Sequence, residues 1–295
     1  MVNNNALLYD GLDKYLIERP KKRFTTTAGF MRWGKNNRYW AIETGDGFTF
    51  GDYATGLKDS IFPRLENNLS FQEIQQRKEA IRDAQAKAEQ QRQKEQEDKA
   101  TEALNLWQSL PDADPSHEYL ARKKVLSYGL KQLDDKLVIP LNDENGKMWS
   151  LQYIYPDGKK QFYTGGRTKG CFYILGKIQD EVVLCEGYAT GASIYEATGI
   201  PVVVAFNAGN LESVLQALRN KNPKLSIIIG ADNDYKENVP TNVGRDVAMS
   251  ISGLYNNIKV IVPRMSENCK CDFNDIAVAR GLDEVRKQFN NGELL

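Results

Sequence analysis

The strongest constraint on the fold lies in the last third of the chain. Four short runs there are almost entirely apolar and mostly β-branched: EVVLC, PVVVAF, LSIIIG and IKVIV. Strands of that composition are typical of a sheet that is buried on both faces. Segments suited to helices separate the runs, over Ala189–Ala197, Leu211–Arg219 and Gly244–Tyr255. Strands that alternate with helices predict a parallel sheet, and therefore an α/β domain over residues 179–295.

Acidic and polar residues follow these strands at the points where they end. Glu186 follows the first run, Asn207 the second, Asp232 and Asp234 the third, and Asp272 comes after the fourth. Ligands of open parallel sheets gather outside the carboxyl ends of the strands, so we expect these side chains to lie together. Carboxylates two positions apart at an extended strand end face the same side and repel each other unless a cation lies between them. The pattern predicts a site for Mg²⁺, with Mn²⁺ as a substitute, because such ions take one or two carboxylates and keep waters for substrate phosphates.

Turn chemistry is the alternative interpretation of these acids. Asp and Asn favour turns and helix caps, so Asp232-Asn233-Asp234 by itself fits either interpretation. The convergence of several acids on one sheet edge favours the metal site. Glu186, on a neighbouring strand, could bind the metal or move a proton.

The first 66 residues have a different composition. Between Glu18 and Trp40 there are seven Lys or Arg residues and one acid, interleaved with aromatic residues and followed by short alternating runs broken by Gly. The pattern predicts a small β-rich domain with an antiparallel sheet. Its basic and aromatic residues could bind single-stranded DNA by phosphate contact and base stacking, or the aromatic rings could instead fill a small core. The candidate DNA-binding residues are Arg23, Arg32, Trp33, Arg38, Tyr39 and Trp40.

A charged segment at residues 67–103 separates this domain from the rest. From residue 71 to 104 it contains strong helix formers and neither Gly nor Pro, and it has almost no apolar stripe after Ile81. We expect a long, solvated helical linker. A coiled coil is the alternative, but Ala and Gln would have to fill its core positions.

Residues 104–178 return to alternating strands joined by turn signals, as in Asn142–Gly146 and Pro156–Gly158. We expect a β-meander in an α+β subdomain that precedes the parallel sheet. Its strands carry more bases than acids, which predicts a basic face. The basic residues are Lys147, Lys159, Lys160, Arg167, Lys169 and Lys177.

Several classes of protein are excluded by what the sequence lacks. With 39 Lys or Arg and 39 Asp or Glu, any affinity for nucleic acid must come from how the charges are segregated. Four cysteines and one histidine, with no C-x2-C pair, predict no disulfide framework and no zinc site. We find no secretory signal and no apolar run of about 18 residues, and expect a soluble cytoplasmic protein without membrane contact. There is also no P-loop motif, so no P-loop helicase is fused to the chain.

The acidic motifs resemble those of a known family. Glu186-Gly187 after one apolar strand and Asp232-x-Asp234 after a later one are similar to the Toprim domain of bacterial-type primases, topoisomerases and certain nucleases. The segments VVLCEGYATGASIYEATGIPVVVAFNAGNL, IIIGADND and DFNDI resemble, in the same order, blocks of the plasmid and phage primases of the plasmid-transfer type. The resemblance extends roughly from Leu104 to Phe289, and His117–Lys123 and Gly165–Gly170 share in it.

This resemblance implies a DNA primase, which makes short RNA primers on a single-stranded DNA template from ribonucleoside triphosphates and can work with a separate helicase. It implies catalytic roles for Glu186, Asp232 and Asp234, with Asp272 as a further metal ligand. The residues implied in binding nucleotide or template are Lys160, Arg167, Lys169, Asn207, Asn274 and Asp275. Two alternatives remain open: a Toprim nuclease, and a non-catalytic single-strand-binding replication accessory.

Overall fold

A computed structural model describes residues 4–21, 30–35, 38–44, 47–62, 71–235, 237, 241–266 and 270–291. The chain divides into two compact units, Met1–Asp98 and Lys99–Leu295. None of the described helices is long and apolar enough to cross a membrane.

The first unit contains a helix, α1 (Asn4–Lys14), and an antiparallel sheet. The sheet has the order β1-β2-β3-β4 and confirms the predicted N-terminal sheet. Leu8 and Leu12 of α1 pack against Trp33, Phe48 and Phe50 in one apolar cluster. The strands are β1 (Phe30–Trp33), β2 (Tyr39–Thr44), β3 (Gly47–Asp52) and β4 (Leu57–Ile61).

The long helix predicted from the charged segment is present as α2 (Phe71–Ser109). The prediction that it is solvated all round is wrong, because Ala84 and Ala88 are buried against Trp40 and Ile42 of β2. The Tyr53 hydroxyl donates to the Ala88 carbonyl at 3.3 Å. Two alanines four residues apart create a narrow contact face on a helix, and this face is too weakly apolar to stand out in the sequence.

The second unit begins with the end of α2 and a second antiparallel sheet of order β5-β6-β7-β8, which confirms the predicted meander. Ala103 of α2 packs against Val138 and Leu151 on one face of this sheet. A short helix, α3 (Glu118–Lys123), precedes the sheet. The strands are β5 (Lys131–Leu133), β6 (Lys136–Asn142), β7 (Met148–Ile154) and β8 (Lys160–Phe162).

The predicted parallel sheet completes this unit. Its order is β13-β12-β10-β11-β9, with every pair parallel except β11 and β9. Strand β9 was not predicted from the sequence as part of this sheet. The strands are β9 (Tyr173–Leu175), β10 (Glu181–Cys185), β11 (Val202–Val204), β12 (Ser226–Gly230) and β13 (Ile258–Ile261). The helices are α4 (Tyr188–Thr198), α5 (Leu211–Lys221), α6 (Val243–Leu254), α7 (Phe273–Arg280) and α8 (Leu282–Asn291).

Apolar clusters cover both faces of this sheet. Along β10, Val183 and Cys185 belong to one cluster, while Val182 and Leu184 belong to the other. This two-sided burial explains the continuous apolar runs in the sequence. The chain passes from β10 to β11 on one side and later to β12 on the other, so the strand order reverses at β10. A crevice is expected at the carboxyl ends of the strands next to such a reversal.

Candidate active site

Two neighbouring parallel strands carry the central acids to this crevice. Cys185 pairs with Gly230, so Glu186 follows the end of β10 and Asp232 lies just past the end of β12. The first turn of α6 packs closely against them. A Cβ added to Gly244 would lie 2.6 Å from the Asp232 carbonyl oxygen and 3.1 Å from Glu186 Oε1. The tight approach of α6 therefore requires a glycine at this position.

Asp232 is the most perturbed acid of the site. Burial raises its pKa to about 8, and the charges of Glu186, Asp272 and Asp234 act in the same direction, while Lys160 opposes them. Four acids that were separate in sequence therefore interact at one edge of the sheet. Strong perturbation by burial together with several charged neighbours is characteristic of functional sites.

Glu186 shares this environment. Burial raises its pKa, and Asp234 raises it further, against the opposing effects of the Ala208 backbone amide and Lys160. Glu186 Oε1 and Asp232 Oδ1 are both buried without a hydrogen-bond partner among the described residues. Buried polar atoms are nearly always paired, so two orphaned carboxylate oxygens at one edge need an explanation. Hard oxygen donors of this kind suit a divalent cation such as Mg²⁺.

Asp234 differs from Asp232 because protein atoms already contact its side chain. Its Oδ2 accepts a hydrogen bond from the Gly244 amide at 3.2 Å, and its Oδ1 lies 3.1 Å from Lys270 Nζ. Asn242 caps α6 and accepts the Asp234 amide on Oδ1 at 2.9 Å, and its Nδ2 donates to Asn233 Oδ1 at 2.7 Å. Asn242 thus positions the acidic turn, a role that the sequence analysis missed.

Asp272 reaches the same edge through a backbone bridge. Asn233 and Cys271 exchange two hydrogen bonds, of 2.9 and 3.0 Å, which brings the start of α7 beside the acidic turn. Asp272 caps α7, because its side chain accepts a hydrogen bond from the Asp275 amide at 2.7 Å. In turn, the Asp275 side chain accepts a hydrogen bond from the Asp272 amide at 3.1 Å. Asp275 also lies 3.7 Å from Lys123 Nζ. The cap uses only Oδ1 of Asp272.

Lys160 is the basic residue that reaches this cluster. Its Nζ lies 3.3 Å from the position that a Cβ on Gly187 would occupy. The side chain as a whole is exposed, but the ammonium end is surrounded by protein. This desolvation lowers the pKa of Lys160, while Asp232 and Asp272 act to raise it. The structure therefore brings together Lys160 and the four predicted metal-site acids.

The other predicted nucleotide or template residues lie in two loops. Asn207 is exposed at the start of a 3₁₀ turn, Ala208–Asn210. Arg167 and Lys169 lie between β8 and β9, where the Arg167 Nε donates to the Lys169 carbonyl at 3.1 Å. Among the described residues, neither Arg167 nor Lys169 forms a hydrogen bond or an ion pair with the four acids of the site.

A buried asparagine fastens this basic loop to the parallel sheet. Asn210 Nδ2 donates to the carbonyls of Cys171 and Ala205, each at 2.9 Å, and its Oδ1 accepts the Gly170 amide at 2.8 Å. This positioning residue was also missed. Asparagine is so common in turns that its presence alone does not indicate the role.

Asn274, a predicted nucleotide-binding residue, is enclosed by the protein beside the acidic edge. Its side chain is fully buried, and its Nδ2 donates to the Lys123 carbonyl at 2.7 Å and to Ser193 Oγ at 2.9 Å. These contacts fasten α7 to α3 and α4. The Asn274 Oδ1 is buried without a hydrogen-bond partner among the described residues.

The predicted stacking of bases on Trp33 and Trp40 is contradicted by burial. Trp33 is 8% exposed and Trp40 only 1%. Trp33 packs with α1 on one face of the sheet, and Trp40 packs with α2 on the other. The alternative interpretation, in which the aromatics fill a core, is the one that the structure supports.

The basic candidates of the first unit are engaged in internal contacts. Arg38 donates to both carboxylate oxygens of Asp52, at 2.8 and 2.6 Å, and Arg32 forms an ion pair with Glu95. Tyr39 is half-buried, with its ring 5.9 Å from that of Trp33 and the Arg38 guanidinium 5.1 Å from its centroid. Arg23 lies outside the described residues.

Among the described residues, no three His, Cys, Asp or Glu side chains converge closely enough to form a ready-made metal cluster. The orphaned carboxylate oxygens and the mutual interaction of the acids are the features that favour a metal at this edge.

Comparison with known proteins identifies the α/β region. Residues 181–283 match the family model described as "Toprim domain". These residues form a Toprim domain. The family resemblance inferred from the motifs is thus confirmed, and the Toprim domain contains Glu186, Asp232, Asp234 and Asp272.

Two curated relatives from Escherichia coli share substantial sequence with the chain, and both are named DNA primase TraC. One is 38% identical over 117 residues, which is 38% of this chain and 11% of the relative. The other is 36% identical over 152 residues, which is 47% of this chain and 10% of the relative. The chain thus spans only about a tenth of the length of these relatives.

Solved primase structures are more distant. The DnaG primase catalytic domain bound to ssDNA has a TM-score of 0.46 and 10% identity, covering 68% of this chain and 80% of that one. The primase fragment of the bacteriophage T7 primase-helicase protein has a TM-score of 0.42 and 16% identity, covering 60% of this chain and 72% of that one.

Proposed function

We propose that the Toprim domain is the catalytic centre of a DNA primase, which synthesises short RNA primers on single-stranded DNA from ribonucleoside triphosphates. The observation that carries this proposal is the half-buried pair Glu186 and Asp232, in which one oxygen of each carboxylate is buried without a partner, with Asp234 and Asp272 beside it. The similarity to DNA primase TraC over 117 residues favours primer synthesis over other Toprim chemistry.

Mg²⁺ is the proposed cofactor, with Mn²⁺ as a substitute. Glu186, Asp232, Asp234 and Asp272 would hold it, because they supply hard oxygen ligands at one edge of the sheet. A divalent ion bound there would neutralise phosphate charge and stabilise the attacking and leaving oxygens of nucleotidyl transfer.

The chain's own side chains would provide proton transfer and orientation. Burial raises the pKa of Glu186, which makes it a better proton acceptor than an exposed carboxylate when a 3′-hydroxyl attacks the α-phosphate of a nucleotide and pyrophosphate leaves. Lys160 extends over the same edge and would bind phosphate oxygens. Asn207 and Asp275 lie at neighbouring loop and helix ends and complete the proposed nucleotide-binding set.

The template would be held by basic residues outside the acidic edge. Arg167 and Lys169 are the proposed template residues, and their contribution should weaken as the salt concentration rises. A separate replicative helicase is a further proposed partner, and the cytoplasm is the proposed location.

The test is to incubate the protein with end-labelled single-stranded DNA of mixed sequence and Mg²⁺, with and without radiolabelled ribonucleoside triphosphates. New RNA products that require the triphosphates are expected. Degradation of the DNA with no triphosphate-dependent product would instead identify a nuclease, and binding without any product would identify an accessory protein. Either result contradicts the proposal.

A further inference from the structure

A tryptophan on the antiparallel sheet of the second unit is turned out of its regular position. Leu141 of β6 pairs with Ser150 of β7, but the next residue, Asn142, pairs with Met148. Trp149 is therefore the extra residue of a β-bulge. Bulges commonly re-aim a side chain and are frequent beside functional sites.

The indole of Trp149 is fixed at its polar end. Its Nε1 donates to Asp143 Oδ2 at 2.7 Å, and Asp143 Oδ1 accepts the backbone amides of Asn145 at 2.9 Å and Lys147 at 3.0 Å. These hydrogen bonds use both carboxylate oxygens of Asp143. The ring remains half-exposed, so it forms a rigid surface beside the loop between β8 and β9.

Two cations lie over this ring. The Lys147 Nζ is 3.9 Å from the Trp149 ring centroid, and the Arg167 guanidinium carbon is 4.7 Å from it. Cation–π contacts at these distances restrain long basic side chains that would otherwise be mobile. Asp143, which accepts the indole N–H of Trp149, also interacts electrostatically with Arg167.

Arg167 is held so that its outer nitrogens remain available. Its Nε donates to the Lys169 carbonyl at 3.1 Å, and its charge interacts with that of the Asp143 carboxylate. The terminal nitrogens of Arg167 make no hydrogen bond among the described residues, and they are not buried. They therefore face solvent. A restrained guanidinium with free terminal donors is suited to bidentate binding of phosphate.

The backbone that presents Arg167 is itself closely fitted to the bulge. A Cβ added to Gly166 would lie 2.2 Å from Ser150 Oγ and 3.2 Å from the Trp149 carbonyl oxygen. Asn210 fastens the other end of the loop through Gly170 and Cys171. The position of Arg167 is thus determined at the ring, at the preceding glycine and at the end of the loop.

We propose that Trp149, Arg167 and Lys147 form a phosphate-binding platform. This proposal deepens the proposed function by naming the platform and its ligand chemistry. The phosphate could belong to the backbone of the single-stranded template or to a nucleoside triphosphate, and the two sources can be separated by experiment. Trp149 acts as a positioning residue, because it restrains the cations that would contact the phosphate.

The test measures binding in the absence of catalysis. Fluorescence anisotropy of a labelled oligothymidylate, and separately of a labelled ATP analogue, would be recorded with EDTA over a range of salt concentrations. The variants are Arg167→Gln, Lys147→Gln, Trp149→Leu and Trp149→Phe. The matched control is Lys224→Gln, which removes an exposed lysine elsewhere in the second unit.

We expect Trp149→Leu to weaken binding about threefold and Trp149→Phe to restore most of it, because Phe keeps a ring for the cations. If the template is the source, Arg167→Gln should lower the slope of log affinity against log salt by about 0.7 for the oligonucleotide. If the triphosphate is the source, Arg167→Gln should instead lose affinity for the ATP analogue and bind the oligonucleotide as the wild type does.

The platform is ruled out if Arg167→Gln and Trp149→Leu bind both probes as Lys224→Gln does. Trp149→Leu could weaken binding simply by disturbing the sheet, so its result is interpreted together with that of Arg167→Gln. The Arg167→Gln substitution removes only a surface charge and should leave the fold intact. Because no primer is made in these assays, a chain that binds through the platform but synthesises nothing would contradict the primase proposal alone.

Discussion

At the scale of single residues, the site depends on acids that would repel each other without a cation. Asp232 is the clearest case, because burial raises its pKa to about 8 in the folded protein, while an unfolded aspartate has a pKa of about 3.9. Between these values the folded state binds more protons than the unfolded state. The contribution of Asp232 to stability is therefore present below about pH 4 and is lost as the pH rises to about 8.

Asp232→Asn should consequently remove a pH-dependent destabilisation. In EDTA, we expect the melting temperature of the variant to exceed that of the wild type by more at pH 8 than at pH 5, measured by circular dichroism. Mg²⁺ should raise the wild-type melting temperature at pH 8 and have little effect on Asp232→Asn. An equal difference between variant and wild type at both pH values would show that Asp232 is not protonated in the metal-free fold.

The acids could be predicted from the sequence, whereas the residues that position them could not. Glu186 and Asp232 follow recognisable strands, and the geometry of parallel sheets brings strand ends together. Asn210 and Asn242 have no comparable signal, because their roles depend on hydrogen bonds to residues that become neighbours only in the fold. The contacts of Asn274 could not be predicted for the same reason, since its partner Lys123 is 151 residues away.

At the scale of elements, the start of α6 determines the geometry of the acidic edge. A Cβ on Gly244 would press on the Asp232 carbonyl and on Glu186, whereas a Cβ on Gly253 of the same helix would meet nothing within 4 Å. Gly253→Ala should raise the free energy of unfolding by up to about 1 kcal/mol, because alanine favours helix.

Gly244→Ala should have the opposite effect. We expect lower stability and a loss of primer synthesis, because α6 would have to move away from both acids. Urea denaturation and a primer-synthesis assay on the two variants make the comparison. If Gly244→Ala were as stable and active as Gly253→Ala, the close approach of α6 to the acids would be refuted.

The long helix α2 allows a second test at this scale. Ala88 is buried against the N-terminal sheet, whereas Ala86 on the same helix is exposed. Ala88→Glu should lower the free energy of unfolding by about 2 kcal/mol or more, because it buries an unpaired charge, and Ala86→Glu should be close to neutral. Urea denaturation of both variants distinguishes a packed helix from a solvated linker, in which the two substitutions would behave alike.

Elements were predicted best where burial was two-sided. The runs that became β10, β11, β12 and β13 were recognisable because both faces of their sheet are covered. The N-terminal sheet was also found, but the sequence did not show that α1 and α2 cover its two faces. For that reason Trp33 and Trp40 could be interpreted as exposed, although they are core residues.

At the scale of the whole molecule, the residues on which the proposed function depends lie in the second unit. Lys99–Leu295 contains the Toprim domain, the basic strand residue Lys160 and the proposed phosphate platform. The described DNA-binding candidates of the first unit are engaged with its own acids or core. We therefore expect substitutions in the second unit to affect catalysis more than substitutions in the first.

The central claim is that the acidic edge of the Toprim domain synthesises primers, and the most direct measurement is primer synthesis itself. Radiolabelled ribonucleoside triphosphates, Mg²⁺ and mixed-sequence single-stranded DNA would be incubated with wild type, with Asp232→Asn combined with Asp234→Asn, and with Asp180→Asn, which alters an exposed acid of the same unit. We predict short RNA products from the wild type and from Asp180→Asn, and at least a hundredfold loss, roughly the effect of removing a key charged group, in the double variant. Unchanged synthesis by the double variant would contradict the account.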